Sequence, residues 1–166
     1  MFTNNLRENA EQLLSRCRRL SLKISTAESC TGGLISSCIT ACKGSSSVFE
    51  RGYIAYSNEA KEELLDVSLT TLQSFGAVSS EVAIEMAEGA LIKAKSNLAL
   101  AVTGVAGPGG GTSLKPVGLV FIACAFRDAS DIKCQQFNFS GDREAIRLAT
   151  VEKAILLGLE FLTKNT

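Results

Sequence analysis

Leu98-Ala-Leu-Ala-Val102 is apolar at every position and runs directly into Thr103-Gly-Val-Ala-Gly-Pro-Gly-Gly-Gly111. An uninterrupted apolar run of this kind suits a strand buried on both faces, at the centre of a sheet covered by helices. The flanking segments agree. Upstream, Val82, Ala83, Met86, Ala87, Ala90 and Leu91 mark one face of a helix over 81–94, with Ser79 or Ser80 as its N-cap. Downstream, 117–126 predicts a second apolar strand and 132–139 a more polar one nearer an edge. Earlier in the chain, 5–20 predicts a helix with Ala10, Leu13, Leu14 and Cys17 on one face, and 22–27 a short strand. A helix over 32–41, a strand over 52–56 and a short helix over 59–65 follow. A long, largely apolar helix from about Asp142 to Leu162 closes the chain. Interleaved strands and helices without linker or repeat predict an α/β protein: a helix-covered mixed sheet in three layers, as one domain over residues 1–166.

Three segments break local rules in ways a core alone does not require. In Thr26-Ala-Glu-Ser-Cys-Thr-Gly-Gly33 a strand ends, a hydroxyl follows, and two glycines stand where the next helix should begin. Glycine within a helix costs up to about 1 kcal/mol relative to alanine. Here it suits close approach of a ligand, or N–H groups aimed at an anion. Ser29 is then a candidate nucleophile, with the N–H groups around Thr31, Gly32 and Gly33 as oxyanion donors. The plainer account makes Thr31 an N-cap and Ser29 a turn residue.

In Tyr56-Ser-Asn-Glu-Ala-Lys61, Ser57 or Asn58 serves as N-cap and puts Lys61 at the third or fourth helical position. The positive end of the helix dipole disfavours an ammonium there and favours the neutral amine that a general base requires. Glu59, Glu62 and Glu63 would cancel the effect if they faced it, and a solvated surface lysine is the plainer account. A short-chain dehydrogenase is excluded, because it needs its tyrosine and lysine four apart and this pair is five apart. The third segment, 102–112, places glycines at the C-terminal end of a strand, where α/β sheets bind ligands. No Gly-Lys-Ser/Thr closes it, so it is not a Walker loop. Flexibility alone is the plainer account. Arg143 opens the last helix, a combination that suits phosphate, although a surface pair with Asp142 or Glu144 would be equally ordinary.

Composition removes whole classes of chemistry. The chain has 166 residues, 17 basic and 17 acidic side chains and no histidine. Zero formal charge argues against an electrostatic partner such as nucleic acid or an anionic membrane. No apolar run approaches the roughly 20 residues that cross a bilayer. The polar N-terminal segment resembles neither a signal nor a transit peptide, so a cytoplasmic protein is expected. Without imidazole, neither a Ser-His-Asp nor a Cys-His arrangement can operate, and a base must be lysine, tyrosine or a carboxylate. The six cysteines (Cys17, Cys30, Cys38, Cys42, Cys124, Cys134) form no C-x-x-C pair and are expected as reduced thiols rather than a metal site. Self-association into a homo-oligomer is left open.

Taken together, the segments 26–33, 49–61, Gly76-Ala-Val-Ser79 and 101–111, with Lys115-Pro-Val-Gly118, resemble the CinA C-terminal domain family, in the same order from about residue 8 to 163. The resemblance implies a three-layer α/β/α fold with a mixed, mostly parallel sheet. Stand-alone members of that family include nicotinamide-nucleotide amidases, which implies hydrolysis of nicotinamide mononucleotide to nicotinate mononucleotide and ammonia, a small-molecule nucleotide as substrate, and no cofactor. By motif, Ser29 would be the nucleophile, Lys61 the base and Tyr56 its partner, with Thr103, Gly104 and Arg143 in the substrate site. Two departures are visible. Lys43 precedes Gly44 where the family usually has proline, and the molybdopterin-binding-like domain that many members carry ahead of this one is not in the chain, so the stand-alone type is expected. A non-catalytic nucleotide-binding module and a cysteine enzyme using Cys30 are the rival readings.

Overall fold

A computed structural model describes residues 2–127 and 132–165. The domain expected over 1–166 also takes in residues 1, 128–131 and 166, which lie outside the described residues. Five strands, Ile24–Glu28 (β1), Phe49–Ile54 (β2), Leu98–Gly104 (β3), Leu119–Phe126 (β4) and Lys133–Asn138 (β5), form one sheet in the order β2-β1-β3-β4-β5. β2, β1 and β3 are parallel neighbours, whereas β4 is antiparallel to both β3 and β5. Only β4 therefore opposes the common direction, and the sheet is mixed and mostly parallel.

The helices are Asn4–Arg19 (α1), Leu34–Thr40 (α2), Asn58–Leu65 (α3), Leu69–Phe75 (α4), Ser80–Ala94 (α5) and Arg143–Asn165 (α6). α1, α2 and α6 pack together on one face of the sheet, and α5 covers the other with α3 and α4 against it. Side-chain alternation along β3 divides the two cores. Leu98, Leu100 and Val102 join the core beneath α1, α2 and α6, while Ala99 and Ala101 point to α5. Ala27, Ala123 and Ala125 continue that small-residue face, opposite Ala83, Ala87 and Ala90 of α5. Small side chains on both surfaces let α5 lie close to the sheet. Contact is closer still at Gly89, where a Cβ would stand 1.9 Å from the Leu65 carbonyl oxygen. The C-terminal end of α3 is seated on α5 through that glycine.

Several boundaries differ from the sequence reading, each for a local reason. α2 begins at Leu34 rather than Gly32, because Gly32 and Gly33 have φ of 58° and 98°, outside the helical region. β2 begins at Phe49 and ends at Ile54 because its ladder follows β1, from Ile24 opposite Phe49 to Glu28 opposite Ile54. Of the two proposed caps for α5, Ser79 is the one that accepts from the Val82 N–H. The sequence reading missed α4, a seven-residue helix with Leu72 alone buried, too short to develop a periodic signal. β5 is an edge strand, as its polarity predicts.

Candidate active site

The parallel strands β2, β1 and β3 end together, and the three rule-breaking segments leave from those ends. Ser29 follows β1 directly, and its N–H donates to the Val102 carbonyl of β3 at 3.1 Å. The turn after β2 returns the chain to β1, where the Ala55 N–H donates to the Glu28 carbonyl at 2.9 Å. Ser57 then caps α3, its Oγ accepting from the Ala60 N–H at 3.0 Å, so Lys61 is the fourth helical residue.

That geometry swings Lys61 inward. It is 1% exposed, and its Nζ lies 3.1 Å from Ser29 Oγ, 2.9 Å from the Ala55 carbonyl oxygen and 3.1 Å from that of Tyr56. The surface-lysine account is thereby excluded. Burial pushes the ammonium below its ordinary value of 10.5, with the neighbouring Cys30 working weakly the other way. Among the described residues no carboxylate pairs with Lys61; the ion pairs lie elsewhere, at Arg51–Glu50, Lys93–Asp66 and Lys133–Glu160. In the neutral amine two N–H groups suffice for the Ala55 and Tyr56 carbonyls, and the lone pair is free to accept the Ser29 hydroxyl proton.

Ser29 and Lys61 open into a cavity of about 210 Å³ whose wall also includes Cys30, Tyr56, Thr103, Gly104 and Arg143. Thr103 is buried, and its hydroxyl donates to the Ala77 carbonyl at 2.7 Å. Arg143 reaches from the start of α6, donating to the Gly107 carbonyl at 2.7 Å and to the Tyr56 phenol oxygen at 3.2 Å. Tyr56 therefore meets Lys61 through its carbonyl, and its phenol belongs with Arg143 at the mouth. A larger groove of about 370 Å³ between α1, β5 and α6 brings together no buried nucleophile and base.

Thr31, Gly32 and Gly33 do not line the cavity. Their expected part as oxyanion donors meets a physical obstacle, because two of the three N–H groups are already taken. The Gly32 N–H donates to the Ser29 carbonyl at 3.1 Å, and the Gly33 N–H to Glu28 Oε2 at 3.0 Å. Glu28 and Arg147 were missed by the sequence reading. Glu28 is fully buried beneath the start of α2. Arg147 donates to the Thr31 carbonyl at 2.8 Å, and its buried Nε has no partner among the described residues. A carboxylate standing between the strand and Ser29 was the available signal for Glu28. For Arg147 the signal was its place one helical turn after Arg143.

All six cysteines are free thiols. Burial pushes the Cys30 thiol up to about 12, which makes it a poor nucleophile beside Ser29. No helix among the described residues is long and apolar enough to cross a membrane.

The arrangement has close counterparts. A Nicotinamide-nucleotide amidohydrolase PncC from Enterobacter agglomerans is 48% identical over 142 residues, covering 86% of either chain. A CinA-like protein from Geobacter sp. (strain M21) is 46% identical over the whole of this chain, which spans 40% of that relative. Across the longer curated relatives that it matches, the chain spans between 32% and 40% of their length. In three dimensions, the competence/damage inducible protein CihA from Agrobacterium tumefaciens superposes with a TM-score of 0.94 at 44% identity, over 98% of both chains. The model of the CinA C-terminal domain matches residues 6–162, a span that contains every residue of the cavity, and the chain belongs to that family.

Proposed function

We propose that this chain hydrolyses the carboxamide of nicotinamide mononucleotide to nicotinate mononucleotide and ammonia, a step of pyridine-nucleotide salvage, with Ser29 as nucleophile and Lys61 as base. The observation that carries the reading is the 3.1 Å contact between Lys61 Nζ and Ser29 Oγ inside a cavity where burial favours the neutral amine. The name of the 48% identical relative supports the substrate.

Neutral Lys61 takes the Ser29 proton as Oγ attacks the carboxamide carbon. The tetrahedral intermediate collapses as the Lys61 ammonium returns that proton to the departing nitrogen, which leaves as ammonia. A water then gives its proton to Lys61 and attacks the ester, and Ser29 departs with the proton back from Lys61. Thr103, its hydroxyl proton committed to Ala77, offers lone pairs to the carboxamide N–H groups. Arg143 retains guanidinium N–H groups for the phosphate beyond its bonds to Gly107 and Tyr56. No step calls for a metal or an organic cofactor.

The test is ammonia release from nicotinamide mononucleotide, nicotinamide riboside and free nicotinamide, measured side by side. Fast release from the mononucleotide alone is expected. Tight binding of the nucleotide with no ammonia would mark a non-catalytic binding module instead.

A further inference from the structure

Glu28 stands immediately before the nucleophile and is 0% exposed, yet no lysine or arginine contacts it among the described residues. Five donors converge on it instead. Oε2 accepts from the Thr31 hydroxyl at 2.7 Å and from the N–H groups of Gly33 and Ile35, both at 3.0 Å. Oε1 accepts from the Ser36 N–H and the Ser36 hydroxyl, both at 2.8 Å. The first turn of α2 is thus saturated by the protein's own carboxylate and presents little to an outside anion.

The consequence falls on the turn between Glu28 and α2. Its far end is fixed by Glu28, its near end by the Ser29 N–H on Val102, and its outer side by Arg147 on the Thr31 carbonyl. Within this frame neither the Cys30 nor the Thr31 N–H donates to an oxygen among the described residues, and the Cys30 N–H lies against its own thiol; of the two residues only Cys30 lines the cavity. Cys30 lines the cavity beside Ser29, in the position after the nucleophile, from which a backbone N–H meets the oxyanion in other serine hydrolases.

We propose that Glu28 is a positioning residue for the oxyanion site: by taking the N–H groups of α2 it holds the turn in the shape that leaves the Cys30 N–H as oxyanion donor. This rests on the amidohydrolase reading for its substrate, though not for its chemistry. Glu28 is also absent from the cavity wall, where a carboxylate would repel a developing oxyanion. Its two oxygens are absorbed by donors on the far side of the turn.

The experiment compares wild type with Glu28→Gln, which sets a donor NH2 among groups that are themselves donors. Two rates are followed: ammonia release from nicotinamide mononucleotide, and acylation of Ser29 by p-nitrophenyl acetate, read as a burst and as mass added to the Ser29 peptide. Both should fall roughly 10- to 100-fold, at or below the loss seen when an oxyanion donor is removed. KM and the calorimetric Kd for the mononucleotide should stay within about 2-fold, since the turn does not grip the substrate. Should Glu28→Gln fail to fold, Ser36→Ala carries the test, removing one donor from Oε1 and lowering kcat several-fold (about 3 or more) at constant KM. Acylation at the wild-type rate in the folded variant, or a raised KM with kcat unchanged, overturns the proposal. If the wild type is acylated yet releases no ammonia from the mononucleotide, the substrate reading falls, and the acylation comparison still decides on Glu28.

Discussion

Replacing Lys61 by methionine keeps an unbranched buried stem and removes only the amine, so it separates catalysis from packing. A general base contributes roughly 10²- to 10⁴-fold, which at about 1.36 kcal/mol per power of ten is a barrier increase of about 2.7–5.4 kcal/mol. Ammonia release should fall by that factor. Stability responds to a different balance. The pKa of Lys61 is lowered in the folded chain by burial, from an ordinary 10.5. Between the lowered value and 10.5 the unfolded chain therefore binds more protons than the folded one, and wild-type stability rises with pH across that window. Lys61→Met has no such slope. At the top of the window the variant lacks the bonds to the Ala55 and Tyr56 carbonyls and to Ser29 Oγ, worth about 1 kcal/mol each. For a chain of this size that is a melting temperature roughly 6–12 °C below wild type. The gap should close as the pH falls and wild type bears the burial of an ammonium. Thermal unfolding of both proteins, followed downward in pH from the ordinary lysine value of 10.5, checks it. Parallel Tm curves, or a variant with wild-type turnover, would refute the reasoning.

Ser29→Ala should abolish ammonia release yet still bind the mononucleotide, and the Ser29→Ala, Lys61→Met double variant should be scarcely worse than either single one, because the two act as a unit; Cys30→Ala should keep most activity. Arg143→Ala should lower kcat/KM for the mononucleotide by roughly 10- to 150-fold, the worth of a charge-assisted hydrogen bond, with little change for the riboside; equal losses on both substrates would remove the phosphate role. Gly89→Ala should destabilise the protein by about 1–3 kcal/mol as an overpacked contact and depress turnover as well, because the new Cβ would push against the Leu65 carbonyl of the helix that carries Lys61. A destabilised variant with full activity would break that link.

The sequence by itself determined the elements with enough residues to show a period. Leu98–Val102 suits a strand covered on both faces, α1 follows from its apolar spacing, and α5 from its apolar spacing and a capping hydroxyl. The lack of histidine narrowed the candidate base to very few residue types. The motifs carried Ser29, Lys61, Tyr56, Thr103, Gly104 and Arg143, and all six line one cavity. What the chain could not reveal locally is which groups of each motif face which neighbour. Lys61 sits among Glu59, Glu62 and Glu63 and reads as a surface lysine, because burial depends on the β2–α3 turn folding back against β1, 32 residues from Ser29 to Lys61. The Gly32-Gly33 pair reads as an anion site. Tertiary structure hands its N–H groups to Ser29 and Glu28, since a buried carboxylate must find donors and the first turn of α2 is the nearest supply. Periodicity and capping are properties of neighbours in sequence. The desolvation of one amine and the satisfaction of one carboxylate are properties of neighbours in space, and only the packed sheet decides them.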